Sequence, residues 1–280
     1  MVEKILRPVE LWDNVQQKCP LVHCITNYVT VNDVANILLA CGGSPVMSDD
    51  IEEVEEITSI SNALVINIGT LNQRTIQSML KAGKKANELS HTLVLDPVGA
   101  GASSLRTTTT FELLEKLKFT VIRGNISEIK TVALGSGTTK GVDADVSDTI
   151  TVDNLPEAIA FAQALSAKTG AIIVITGPID IVADNTRAYV IHNGHPLMSK
   201  VSGTGCMLTA VSAAFCAANP ENPLEAAATA VSAMGLCGEL AYRKLEETEG
   251  GTSSYRTFLI DAMSKLDAQT LREGMKLEIR

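Results

Sequence analysis

The sequence predicts a single α/β domain, a mostly parallel central sheet with helices on both faces. Three observations carry this. Short apolar runs rich in Val, Ile and Leu recur with helical stretches between them. Strands buried on both faces need such runs, and strand–helix–strand order makes them parallel. The chain is 45% hydrophobic but only 4% aromatic, so its core is aliphatic and alanine-rich, as suits helices packed closely on a sheet. The 280 residues are long enough for two domains, yet the same alternation resumes beyond the polar stretch 134–153. That stretch therefore reads as a surface excursion within one domain, 1–280.

The elements follow in order. Residues 11–18 read as a short helix and 21–25 as a buried strand ending in the polar Thr26-Asn27-Tyr28. Thr30 or Asn32 can cap the next helix, which turns Val34, Ile37, Leu38 and Leu39 inward and stops at Gly42-Gly43. An extended piece at 45–47 precedes the acidic segment 49–56, a solvated helix start whose acids complement the helix dipole. Strand 63–69, helix 72–89 and strand 92–96 make one right-handed parallel crossover. After the glycine-rich 97–102 come helix 110–117, strand 119–123 and helix 126–132. Beyond the polar stretch stand helix 156–168, strand 171–176, and a hairpin of 179–183 and 187–192 at the sheet edge. Three helices follow, over 207–218, 224–246 and 255–267.

Composition limits the partners. A net charge of −9 with no clustered basic run argues against nucleic acid or an anionic membrane. The apolar runs are too short to span a bilayer and residues 1–20 lack an apolar signal region, so a cytoplasmic location is expected. Cys19, Cys24, Cys41, Cys206, Cys216 and Cys237 form no C-x-x-C pair and no zinc-like spacing with the four histidines. They read as reduced thiols, with Cys19, Cys216 and Cys237 as packing residues.

The candidate chemistry gathers where parallel strands end, at Asn27, Gly69, Asp96, Arg123 and Thr176, the ligand side of open α/β sheets. Lys200-Val201-Ser202-Gly203-Thr204-Gly205-Cys206 opens an apolar helix. Gly203 and Gly205 leave backbone N–H groups uncovered there for an anion. Cys206 adds an ionisable thiol in the first turn, where thiolate character is favoured. Asn125 and Glu128, three apart at a helix start, can cap that helix, hold the water shell of Mg²⁺, or do both. Arg123 beside them can clamp a phosphate. Asp96 is either a further metal carboxylate or a turn aspartate before proline. Neither G-x-x-x-x-G-K-[ST] nor a first-strand G-x-G-x-x-G occurs, so a nucleotide must be bound in another way.

Asn125-x-x-Glu128 with a glycine loop opening a late helix resembles the ribokinase-like kinases. Four segments are similar to the hydroxyethylthiazole kinase family within them: 23–29, Met47-Ser48, Leu95-Asp96-Pro97-Val98-Gly99-Ala100 and Gly203-Thr204-Gly205-Cys206. The similarity spans about residues 10 to 270. It implies a three-layer ribokinase-like sandwich and ATP- and Mg²⁺-dependent phosphorylation of the alcohol of 4-methyl-5-(2-hydroxyethyl)thiazole, a thiamine salvage step. It further implies that Arg123, Thr176 and Asn125 lie at the ATP, that Met47 and Gly203 contact the thiazole with Asn27 and Gly69 nearby, and that the protein is a homotrimer with sites at its interfaces. Most ribokinase-like enzymes place aspartate where this chain has Cys206, so the base is weaker and charge neutralisation carries most of the acceleration. Two alternatives remain: a related kinase such as a hydroxymethylpyrimidine kinase, and a non-catalytic binder of the same fold.

Overall fold

The computed structural model describes residues 7–135 and 149–280. In chain order its elements are α1 (Pro8–Lys18), β1 (Leu21–Ile25), α2 (Val31–Ala40), β2 (Ser44–Val46), α3 (Val54–Ile60), β3 (Ala63–Asn67), α4 (Gln73–Glu88), β4 (Thr92–Asp96), α5 (Ser104–Lys116), β5 (Val121–Asn125) and α6 (Ile126–Gly135). Then come α7 (Leu155–Thr169), β6 (Ile172–Thr176), β7 (Asp180–Ala183), β8 (Ala188–Ile191), a 3-10 turn (Pro196–Lys200), α8 (Thr204–Ala218), α9 (Pro223–Glu246), α10 (Thr252–Lys265), α11 (Ala268–Gly274) and β9 (Leu277–Ile279).

The described strands form one sheet in the order β2-β1-β3-β4-β5-β6-β7-β8-β9. It is parallel from β2 to β6 and antiparallel from there on. All five residues of β3 and of β4 are buried, and period-two alternation sends them to opposite layers. Ala63 and Val65 join the core beneath α1, α2, α8, α9 and α10. Leu64 and Ile66 join the one beneath α4, α5, α6 and α7. The result is the expected three-layer sandwich. Helix α8 is buried nearly all round, as an apolar helix without a polar face must be. Its alanines let it lie close on β3 and β4, which sets its N-terminus over the ends of those strands.

Several local expectations are corrected. The hairpin is not the edge of the sheet, because β9 pairs antiparallel outside β8. Three residues, only half-buried, leave no periodic signal, and α11 before them escaped for the same reason. Leu39 faces outward with 60% exposure, since it sits 100° round the helix from buried Leu38. Helix α5 begins at Ser104, six residues earlier than its β-branched threonine run suggested. Ser103 accepts from the Arg106 N–H, and Thr107 and Thr108 return hydroxyls to carbonyls one turn back. All six cysteines are free, but Cys19 is exposed rather than packed. It ends α1 in left-handed backbone. Of the polar stretch 134–153, residues 136–148 lie outside the described residues. The alanine-rich helices α8 and α9 bury their small side chains within this chain's own core.

Candidate functional site

Strand register assembles the site. Asn67 and Asp96 end neighbouring strands as direct partners, and so do Asn125 and Thr176. The edge therefore presents an amide, a carboxylate, a second amide and a hydroxyl side by side, with Arg123 two residues back on β5. Asp96 is fully buried. Its Oδ2 accepts from Asn67 Nδ2 at 2.9 Å and from Thr209 Oγ1 at 2.8 Å. Its Oδ1 has no hydrogen-bond partner and faces Arg123 Nη1 at 3.6 Å. Burial pushes the carboxyl up to about 6, against the opposing pull of Arg123 and the two hydrogen bonds, while the Glu128 charge adds to the rise.

Arg123 reaches from β5 toward the mouth of α8. Its Nη2 donates to Thr176 Oγ1 at 2.7 Å, so the guanidinium is held between the Thr176 hydroxyl and the Asp96 carboxylate. The sequence-predicted pair Arg123 and Thr176 thus meets. Both line a cavity of about 530 Å³ together with Asp180, His195, Gly205 and Met234. One wall is tied to the end of the chain. Asn193 donates to Glu239 and to the Gly274 carbonyl and accepts from the Lys276 N–H, while Glu239 also takes the Gly194 N–H and the Lys276 ammonium. His195 stacks on Tyr242 with centroids 3.7 Å apart. Asp180, the first residue of β7, accepts from the Gly177 N–H, and burial pushes its carboxyl up to about 7 against the pull of that bond and of Arg123.

The glycine loop is as open as its sequence suggested. Gly203 has φ 94° and no side chain caps α8, so the first amides of the helix keep their donors for a ligand. A Cβ on Gly203 would lie 2.7 Å from Thr30 Cγ2, and one on Gly205 would lie 2.6 Å from Arg123 Nη1. Both glycines are therefore fixed by close approach. Cys206 stands in the first turn of α8. Two amide donors, Asn27 Nδ2 at 3.1 Å and Asn67 Nδ2 at 3.2 Å, point at its sulfur. Even so, burial and then the charge of Asp96 raise the thiol above its ordinary range. The helix terminus does not make it a thiolate, because it is only 9% exposed and faces a carboxylate.

Glu128 and Asn125 form the reciprocal cap. Glu128 N–H donates to Asn125 Oδ1 and Asn125 N–H to Glu128 Oε2, each at 2.9 Å, while Glu128 Oε1 accepts from Gly99 N–H at 2.8 Å. Each carboxylate oxygen keeps a lone pair for a further donor or a metal-bound water. Arg106 ties the rim together, donating to the Gly69 and Val98 carbonyls. Gly69 N–H returns to Asn67 Oδ1, and Thr30, the residue just before α2, donates its hydroxyl to Asn27 Oδ1 instead of capping the helix. Met47 is not joined to this hydrogen-bonded cluster. It follows edge strand β2 and packs half-buried against the core, beside a Ser48 whose carbonyl is fixed by buried His23 at 2.8 Å.

Sequence reasoning missed Asn67, Thr209, Arg106 and Asp180. Asn67 was legible, since it ends a strand beside Asp96. Thr209 was not, as it lies inside an apolar helical run where a lone threonine gives no signal.

A sequence model of the hydroxyethylthiazole kinase family matches residues 12–269. The chain is 60% identical over 269 residues to the hydroxyethylthiazole kinase of Clostridium acetobutylicum, covering 96% of this chain and 98% of that one. It is 45% identical to that of Methanobrevibacter smithii, with 99% and 98% covered. Among solved structures, the hydroxyethylthiazole kinase protein from Pyrococcus horikoshii OT3 superposes with a TM-score of 0.85 at 35% identity, covering 98% of this chain and 99% of that one. The Staphylococcus aureus pyridoxal kinase in complex with ADP, at 15% identity and a TM-score of 0.61 over 93% and 97% of the chains, shares the fold. With the strand-end cluster, the open glycine loop and full-length similarity in agreement, the chain belongs to the hydroxyethylthiazole kinase family and is a ribokinase-like kinase.

Proposed function

We propose that this chain transfers the γ-phosphoryl group of Mg·ATP to the primary alcohol of 4-methyl-5-(2-hydroxyethyl)thiazole, a step in thiamine supply. The observation that carries the reading is the convergence of Arg123, Thr176 and Gly205 on one cavity, with an uncapped helix mouth beside it. ATP lies in that cavity, with Arg123 and Thr176 on its phosphates. The acceptor side is bounded by Asn27, Gly69, Gly203 and Met47.

The residues present fit a magnesium ion. Asp96 Oδ1 is buried and unpartnered, and Glu128 lies near enough for its charge to act on Asp96. No cage of three or more His, Cys, Asp or Glu side chains occurs among the described residues. That suits an ion that keeps most of its waters and leans on one or two carboxylates plus phosphate. Asp96 and Glu128 would hold it, with Asn125 beside them, and it would supply charge neutralisation between the phosphates.

In the transfer, the acceptor oxygen bonds to the γ-phosphorus as the bond to the β–γ bridging oxygen breaks. Arg123 and the Gly203–Cys206 amides neutralise the charge spread over the transferring group. Cys206, protonated at neutral pH, accepts a hydrogen bond and orients the alcohol. It is a poor base early in the reaction, and a loose transition state needs none early. The alcohol's proton leaves late, to a phosphate oxygen or water.

Exposed Tyr28, Val29, Leu39 and Ile60, at 77%, 62%, 60% and 67%, support a homotrimer in which neighbours cover the acceptor side and Met47 serves an adjoining site. The described helices include none long and apolar enough to cross a membrane; we place the enzyme in the cytoplasm, with neither nucleic acid nor membrane as partner. ADP release measured with a panel of small alcohols tests the reading. Turnover should be fastest with the thiazole alcohol, and sedimentation of a fully active monomer would refute the trimer.

A further inference from the structure

We propose that Thr209 and Asn67 are positioning residues for the metal, fixing Asp96 so that one carboxylate oxygen is occupied and the other is left for a divalent cation. This rests on the reading of Asp96 as a magnesium ligand. The two carboxylate oxygens are treated unequally. Oδ2 takes two donors within 2.9 Å, from Asn67 and Thr209. Oδ1, equally buried, takes none, for Arg123 at 3.6 Å is a charge contact too long to be a hydrogen bond. Buried polar atoms are ordinarily paired. An ionised carboxylate held with one bare oxygen on the side of Arg123 is set up for a ligand that this chain does not provide.

Neither orienting residue can easily relax. Asn67 accepts at Oδ1 from Gly69 N–H at 2.9 Å and Asn27 Nδ2 at 3.2 Å. Its Nδ2 donates to Asp96 and lies 3.2 Å from Cys206 Sγ. A flip of the amide would set donor against donor at one end and acceptor against carboxylate at the other. Thr209 is one turn beyond Gly205 on α8, and its hydroxyl lies 3.1 Å from the Gly205 carbonyl as well as 2.8 Å from Asp96. The hydroxyl therefore ties the carboxylate on β4 to the same helix turn that forms the anion site. Cation and phosphate positions are fixed relative to each other by one side chain. Partners that orient a metal ligand typically carry about 10- to 100-fold in metal affinity.

The test uses Mn²⁺ in the presence of saturating ADP, which supplies the phosphates, its binding to the full chain followed by electron paramagnetic resonance, beside steady-state kinetics. Thr209→Val is nearly isosteric and should weaken Mn²⁺ binding about 10- to 100-fold and raise the Mg²⁺ needed for half-maximal rate in parallel. The KM for the thiazole alcohol should stay within about twofold, and Thr209→Ser should restore both readouts. Asn67→Ser provides a second arm if Thr209→Val does not fold, and it should weaken Mn²⁺ in the same direction. Wild-type Mn²⁺ affinity in folded Thr209→Val or Asn67→Ser, with Asp96→Asn unable to bind, would overturn the inference and leave the metal reading standing. Undiminished binding by Asp96→Asn, or none by the wild type, would defeat the metal reading itself.

Discussion

Gly205→Ala should leave the fold intact and cripple turnover, and the structure says by what route. The added methyl would stand 2.6 Å from Arg123 Nη1, whereas ordinary contact begins at 3.4 Å, so the guanidinium must retreat by about 0.8 Å. The retreat is sterically cheap because the obstacle is a side-chain end, and alanine is the better helix former; the melting temperature should hardly change. It is functionally costly because Arg123 holds Thr176 at 2.7 Å. A shift of that size takes the bond to the limit of hydrogen bonding and moves the charge from where phosphate is received. One charge-assisted hydrogen bond is worth about 1.5–3 kcal/mol, so kcat/KM for ATP should fall about 10- to 150-fold. Obstruction of the anion site adds to this. The assay is coupled ADP release, with Gly251→Ala as control, since nothing lies within 4 Å of a Cβ there. Wild-type kcat/KM in folded Gly205→Ala would refute the reasoning.

Other outcomes follow from the same geometry. Cys206→Ala should keep activity within about 100-fold of wild type, the lower end of what a general base contributes, and Cys206→Asp should be at least as active as the original. Dead Cys206→Ala beside active Gly205→Val would reverse the ranking of anion site over base. Glu128→Gln should lower turnover and raise the Mg²⁺ requirement, and an unchanged requirement would leave Glu128 as a cap alone. In metal-free protein Asp96 should oppose stability above its folded-state value of about 6 and cease to do so below the ordinary 3.8. The raised value means that the folded state binds the proton more tightly, so this group's contribution falls as pH rises from about 4 to 6. Thermal melts in chelator should show Asp96→Asn gaining on wild type by up to about 3 kcal/mol over that window. A difference independent of pH would contradict this.

The sheet was legible because both-face burial writes itself as apolar runs, and strand ends such as Asp96 and Thr176 are where those runs stop. Arg123, Thr176 and the glycine loop could be read as one site because parallel strands end on one side. What could not be read was anything decided by packing across the sheet. Thr209 looks like a filler in an alanine-rich helix until α8 is laid against β4. Cys206 was legible as a weak base in the first turn of a helix, but its enclosure and the neighbouring Asp96, which raise the thiol, were not. Strand β9 and the Glu239–Lys276 clamp depend on pairing between segments far apart in sequence, which no local pattern encodes.

A thiazole alcohol should be phosphorylated at this site at the expense of ATP. The direct measurement is phosphorus NMR of purified protein with Mg·ATP and either 4-methyl-5-(2-hydroxyethyl)thiazole or a hydroxymethylpyrimidine. A phosphate monoester of the thiazole alcohol should accumulate in step with ADP, with little product from the pyrimidine. No thiazole ester, with ready phosphorylation of the pyrimidine alcohol, would contradict the account.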